Sequence, residues 1–252
     1  MLSKAEIKRV SSYKEAKYRN QDMVFVVEGV KMVDELIASG FEIERIFGTR
    51  KWMDDNTQKV GSRADEVIEV GEDELKKISS LITPNQVLAI VKAPTPKDID
   101  FKDRLVIALD QINDPGNLGT IIRIADWFGV EDIICSESTV DQYNPKTIQS
   151  TMGSLFRVNI SYVNLEATLK TLSKTYPIYG TVVKNGEDIY QTQLKTQGII
   201  IIGSESHGIS KEILPLINHP LTIPNFSINQ SAESLNASIA TGIVLSEFRR
   251  RG

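Results

Sequence analysis

This chain is poor in the residues that most often carry reactive chemistry. Among its 252 residues there is one cysteine, and there are two histidines. The lone Cys135 follows an apolar run and has no partner for a disulfide, so it reads as core filler in a reducing compartment. No cluster of His, Cys and carboxylates has the spacing of a metal site, and no metal is expected. Nothing approaches the roughly 18 consecutive apolar residues of a membrane span. The start, Met1-Leu2-Ser3-Lys4-Ala5-Glu6, lacks the apolar core of a signal peptide. The expectation is a cytoplasmic protein with no membrane partner. The fingerprint G-x-G-x-x-G is missing, as is G-x-x-x-x-G-K-[ST]. The first absence counts against a nicotinamide-dependent enzyme, the second against a nucleotide hydrolase. There is no internal repeat and no low-complexity tract.

What is present fits a soluble globular protein, with 41% hydrophobic and 25% charged residues. The length allows one large domain or two ordinary ones. Lys and Arg total 29 against 33 Asp and Glu, a formal charge of -4, which disfavours a constitutive nucleic-acid coat protein. Charge is nevertheless uneven. Lys4, Lys8, Arg9, Lys14, Lys17 and Arg19 crowd the start, and Arg249-Arg250-Arg251 lie near the end. Such runs read either as solvated helix faces or as phosphate contacts of an RNA-handling protein. On the second reading Lys8, Arg9, Lys14, Lys17 and Arg19 are the candidate RNA contacts.

Two blocks are visible. In the first, Met23–Val27, Ile43–Phe47, Val67–Val70 and Val87–Val91 read as strands. Val30, Val33, Leu36 and Ile37 have helical spacing, with Gly40 placed to end the helix, and a further helix is expected around Glu72–Ser79. This is a small alternating α/β domain over residues 1–94. A Pro-bearing linker, 95–103, begins within Ala93-Pro94-Thr95-Pro96-Lys97-Asp98. In the block 104–252, strands are expected at Leu105–Leu109, Asp132–Cys135, Phe156–Ile160, Ile178–Val183, Gly198–Ile202 and Pro220–Ile223. Helices are expected at Leu118–Phe128, Leu165–Thr175 and Ser234–Arg249. Near-continuous apolar strands separated by helices imply a parallel sheet covered on both faces, with ligands beyond the carboxyl ends of the strands.

Three polar loops follow apolar strands in this second block. The first, Asn113-Asp114-Pro115-Gly116-Asn117-Leu118-Gly119-Thr120-Ile121-Ile122-Arg123, leads from a strand into a helix. Its spacing puts the Asn117 amide at the helix entrance and the Arg123 guanidinium about two turns in. An arginine among Leu118, Ile121, Ile122, Ala125 and Phe128 has no evident structural purpose. The second loop is Gly203-Ser204-Glu205-Ser206-His207-Gly208, and the third runs from Ile223-Pro224 to Ser234-Leu235-Asn236. If the three strands are parallel, Asn117, Arg123, Glu205, Ser234 and Asn236 converge. Each piece also has an ordinary reading: Asn117 or Ser234 as a helix cap, Glu205 as a solvated carboxylate, Gly203 and Gly208 as turn residues.

Together the loops resemble the three motifs of the SpoU (TrmH-like) branch of the SPOUT RNA methyltransferases. Asn117-Leu118-Gly119 with Arg123 and Phe128-Gly129 matches the first, Gly203-x-Glu205-x-x-Gly208 the second, and Ile223-Pro224 with Ser234-Leu235-Asn236 the third. The first block resembles, more loosely, the ribosomal-protein-like RNA-binding domain often fused in front. The resemblance implies an α/β fold whose C-terminal parallel-sheet domain carries a deep trefoil knot. It implies S-adenosylmethionine as methyl donor, a ribose 2′-hydroxyl in RNA as acceptor, and a homodimer formed through the knotted domain. Arg123, Asn117, Glu205, Ser234 and Asn236 fall at the family's catalytic positions, and Thr181, Gly203, Gly208, Ile223 and Leu235 at its cofactor positions. Between Pro224 and Ser234 the chain departs from the pattern with a longer loop. The expected substrate is 23S ribosomal RNA, with transfer RNA as the alternative. A non-catalytic RNA-binding protein that keeps the knot as a scaffold is a third reading.

Overall fold

The computed structural model describes residues 1–227 and 234–250. Residues 228–233 of the longer loop and Arg251 lie outside the described residues. The chain divides into two compact units, one of residues 1–95 with 141–157, the other of residues 96–140 with 158–252.

The first unit opens with α1 (Lys4–Ser12), started by a capping box in which the Ser3 hydroxyl and the Glu6 carboxylate each accept the other's backbone N–H. Then come α2 (Ala16–Asp22), β1 (Val24–Glu28), α3 (Val30–Ala38), β2 (Ile43–Gly48), α4 (Arg50–Val60), β3 (Ala64–Glu69), α5 (Glu72–Ile78) and β4 (Val87–Lys92). The four strands form a mixed sheet in the order β1-β4-β2-β3. Helix α4 was not expected, and β3 begins earlier than the apolar run Val67–Val70.

The second unit starts with β5 (Leu105–Asp110), α6 (Pro115–Trp127) and β6 (Asp132–Ser136). The chain then returns to the first unit for 141–157, which carries α7 (Pro145–Thr151), also unexpected. Aromatic packing explains why this segment belongs there. Tyr143 stacks on Phe25 at 4.3 Å between centroids, and Phe156 meets Phe41 edge-on at 5.3 Å. Gln149 Nε2 donates to the Glu28 carbonyl at 2.9 Å, and Arg157 Nη1 pairs with Glu35 Oε2 at 2.6 Å. Phe156, expected to open a strand, sits in a 3-10 turn instead.

The second unit resumes with β7 (Asn159–Val163), α8 (Leu165–Leu172), β8 (Ile178–Thr181), β9 (Glu187–Asp188), β10 (Gly198–Gly203), β11 (His219–Thr222) and α9 (Ala237–Arg250). Its seven strands lie in the order β7-β6-β5-β10-β8-β11-β9, and every neighbouring pair is parallel. Strands β5 and β6 are buried along their whole length, as sheets covered on both faces require. The four consecutive isoleucines of β10, Ile199–Ile202, are each at most 2% exposed; burying each stabilises the fold by about 1.5–3 kcal/mol. Cys135 lies within this core, where burial pushes its thiol pKa up and keeps it protonated.

One expected RNA contact proves structural. Arg19 is 3% exposed, pairs with Asp141 through Nη2, and donates through Nη1 to the carbonyls of Tyr13 and Lys14 at 2.8 Å each. A guanidinium so enclosed ties α2 to the returning segment and cannot also reach a phosphate. Arg19→Ala is therefore expected to lower unfolding stability by about 3 kcal/mol by leaving buried acceptors and Asp141 without their partner. Lys17→Ala, at an exposed position, should change it by no more than about 0.5 kcal/mol. Urea unfolding of the full chain distinguishes the two outcomes.

Candidate active site

Because the sheet is parallel, the loops after β5, β10 and β11 emerge at one edge. Helix α6 begins there in a fixed way. Asp114 is its N-cap and accepts the Asn117 backbone N–H at 2.9 Å, with Pro115 in the first turn. Asn117 is thus not the cap, contrary to its ordinary reading, and its side-chain amide is free for other work. At the far end Gly129, at φ +64°, donates to the Asp126 carbonyl while Val130 donates to that of Ala125. This pair of bonds is the glycine-terminated stop that the Phe128-Gly129 dipeptide permits.

The second loop is a tight hairpin in which Ser204 and Gly208 exchange backbone hydrogen bonds at 3.0 and 2.9 Å. A Cβ at Gly203 would lie 2.2 Å from the Gly208 carbonyl carbon, and Gly208 has φ +68°. The glycine spacing of this motif is therefore required by the turn itself. Buried Asp110, at the end of β5, braces the hairpin by accepting the Ser210 N–H at 2.7 Å. In the third loop Asn236 Oδ1 accepts the N–H of Ser238 at 3.0 Å and of Ile239 at 3.4 Å, together with the Ser238 hydroxyl at 2.7 Å. Asn236, and not Ser234, caps α9.

The loops meet through their side chains. Asn117 Nδ2 donates to Glu205 Oε1, and Asn236 Nδ2 donates to Asn117 Oδ1 at 3.0 Å. A carboxylate and two amides from three loops form one chain of hydrogen bonds. Among the described residues the second Glu205 oxygen has no partner.

Beside this chain a cavity of about 290 Å³ opens beyond β8, β10 and β11, close to the lower size of small-molecule sites. Thr181, Gly203, Gly208, Ile223 and Leu235 all line it, as do Glu205 and Ser234. Leu221, Ile223 and Leu235 give it apolar wall, while Glu205 and Ser234 bring polar groups to it. Flat apolar faces with a few polar groups suit a nucleoside carrying a polar tail, so the residues present fit S-adenosylmethionine. The sequence did not single out Asn225 and Phe226, which also line the cavity; an aromatic residue inside the longer loop was the available signal.

Arg123 stands apart. It is exposed on α6, not set among the buried Leu118, Ile121, Ile122 and Ala125, and among the described residues its guanidinium has no partner. The other basic residues differ in their freedom. Lys8 and Lys14 are exposed without partners among the described residues, and Lys17 lies over the Tyr18 ring at 5.7 Å. Arg9 is engaged with Tyr13 and Asp22 at 2.8 and 3.3 Å. Arg249 donates to the carbonyls of Phe128 and Gly129, and Arg250 pairs with Glu247, so these two serve α9 itself.

Comparison with known proteins agrees with this arrangement. Residues 104–246, more than half of the chain, match the SpoU rRNA methylase family, and residues 4–89 match the MRM3-like substrate binding domain. The 23S rRNA (guanosine(2553)-2′-O)-methyltransferase RlmP of Bacillus subtilis is 28% identical over 98% of both chains. The structure of a proposed RNA methyltransferase of the TrmH family from Porphyromonas gingivalis is 36% identical and covers both chains fully at a TM-score of 0.90. That of an S-adenosylmethionine-bound rRNA methyltransferase from Sinorhizobium meliloti is 29% identical at a TM-score of 0.88, over 99% of this chain and 96% of that one. With these motifs, an all-parallel domain of the knotted SPOUT type and a substrate-binding domain before it, the chain belongs to the SpoU (TrmH-like) family of RNA 2′-O-ribose methyltransferases, enzymes that depend on S-adenosylmethionine.

Proposed function

We propose that this enzyme methylates a ribose 2′-hydroxyl in large-subunit ribosomal RNA. The observation that carries the chemistry is the hydrogen-bonded chain Glu205–Asn117–Asn236, whose Glu205 lines the cavity. Ribosomal RNA is favoured over transfer RNA by the front domain, which matches a substrate-binding domain over 4–89, and by RlmP, alike over nearly its whole length. Exposed Lys8, Lys14 and Lys17, with the partly engaged Arg9, supply phosphate contacts there.

S-adenosylmethionine supplies a methyl group made electrophilic by its sulfonium. Thr181, Gly203, Gly208, Ile223 and Leu235, which line the cavity, would hold it. A ribose hydroxyl attacks well only as its proton leaves. Glu205 has the means to accept that proton, since one oxygen takes the Asn117 amide and the other is unengaged among the described residues. Asn236 gives one Nδ2 hydrogen to Asn117 and keeps one for the ribose; Ser234 adds a hydroxyl at the same wall. Arg123 stays protonated at any working pH, so its task is to clamp the neighbouring phosphate and offset the developing alkoxide charge.

The working unit is a homodimer. Trp127 on α6 is 85% exposed and Ile239 on α9 is 56% exposed, and the two helices pack on one another. Large apolar side chains left exposed on two adjoining helices point to an association surface along them.

Three outcomes follow from this reading. Arg123→Ala should abolish methyl transfer to RNA while calorimetry still registers S-adenosylmethionine binding; loss of that binding in a folded variant refutes the division of labour. Glu205→Gln keeps the shape but not the proton acceptor, so the transfer rate from tritiated cofactor should fall about 10²–10⁴-fold with little change in cofactor affinity. Sedimentation should find a dimer for the native chain and a monomer for Trp127→Glu, and a native monomer disproves the assembly.

A further inference from the structure

Phe226 is the only aromatic residue among the described residues that line the cavity, and it is 83% exposed. Its backbone is braced on both sides. Pro224 fixes its own φ before it, and Asn225 Oδ1 accepts the Ser227 N–H at 2.8 Å, closing a small side-chain turn around it. Val183, 58% exposed, also lines the cavity. The cavity therefore has an apolar, exposed part at Phe226 and Val183 and a polar part at Glu205 and Ser234. An aromatic ring so exposed adds little to the packing of the chain itself.

Resting on the methyltransferase reading, we propose that Phe226 is a specificity-determining residue that stacks a nucleobase of the RNA beside the ribose being methylated. The cofactor does not need this ring, because buried Leu221 and the neighbouring Ile223 and Val182 already supply apolar wall. A base does need such a platform. Single-stranded RNA is recognised by unstacked bases laid on aromatic side chains, and each such stack strengthens binding by about 5- to 150-fold. The ring tolerates any base, so it selects for an unpaired nucleotide and not for a sequence.

The test compares native enzyme, Phe226→Ala and Phe226→Trp on large-subunit ribosomal RNA transcribed in vitro, which carries no modification. Methyl transfer, filter binding of the RNA and calorimetry with S-adenosylmethionine are measured for each. Phe226→Ala should raise the KM for RNA and weaken RNA binding at least 5-fold, with a smaller change in kcat and a cofactor affinity within 2-fold of native. Phe226→Trp should restore both RNA measures. Equal RNA affinity in the alanine variant overturns the inference, and so does a cofactor affinity that falls in step with the KM. RNA binding is read independently of turnover. A native enzyme that transfers no methyl group refutes the enzymatic reading, while the stacking inference still stands or falls on the binding comparison.

Discussion

The hydrogen bonds from Asn117 to Glu205 and from Asn236 to Asn117 join segments 88 and 119 residues apart in sequence, and the site depends on them. A carboxylate can only accept, so it fixes which end of the Asn117 amide faces it. The carbonyl of Asn117 then fixes Asn236, whose own carbonyl is used to cap α9. Each orientation follows from the one before, so the protein's own groups hold the donors in place. Groups arranged in advance act on developing charge without reorganising during the reaction. The network is possible only because β5, β10 and β11 run the same way. Reversing any one of them would carry its loop to the opposite edge.

The strand order separates two tasks. Among the described residues the cavity wall comes from residues between Thr181 and Ala240, supplied by β8, β10, β11, their loops and α9. The first loop and α6 line none of it, yet they carry Asn117 and Arg123. Helix α6 packs along α9 and is fastened to it where Arg249 meets the carbonyls of Phe128 and Gly129. On the proposed reading, one part of the domain would hold the small molecule, and the other would present polar groups to what approaches it. Because β10 is inserted between β5 and β8, and β11 between β8 and β9, the wall is complete only when the last third of the chain is in place.

Much of this was legible in the sequence, and the parts that were not share a physical cause. Strands β5, β6 and β10 are buried on both faces, so they show as unbroken apolar runs. Helix α4 escaped notice because its buried positions, Trp52, Asn56 and Val60, include a polar residue whose amide bonds the Trp52 carbonyl. Helix α7 buries Thr147 and Thr151 beside Ile148, which blurs its periodicity in the same way. Asn113, Asp114 and Asn117, all of residue types that cap helices, stand within five residues at the start of α6, and only the backbone shows that Asp114 takes the role. Arg19 looked like its exposed basic neighbours because its acidic partner, Asp141, is 122 residues away. The convergence of Asn117, Glu205 and Asn236 was readable, since it needed only parallel strands. The separateness of Arg123 was not, since it depends on which face of α6 is covered.

That separateness bears on how the proposed reaction divides its charges. Arg104, Arg249 and Arg250 in the same unit are satisfied by Glu131, by backbone carbonyls and by Glu247, whereas Arg123 has no partner among the described residues. An arginine that must meet a phosphate gains from being unpaired, because each internal ion pair would have to be broken first. It also gains from never losing its proton, since a clamp that discharged during the reaction would release the anion it holds. The proton therefore belongs on a different group. Glu205 stands at the cavity with one oxygen committed to positioning Asn117 and one uncommitted among the described residues. In the proposed mechanism, the permanent charge on α6 and the exchangeable proton on the hairpin after β10 let each residue do its task without undoing the other's.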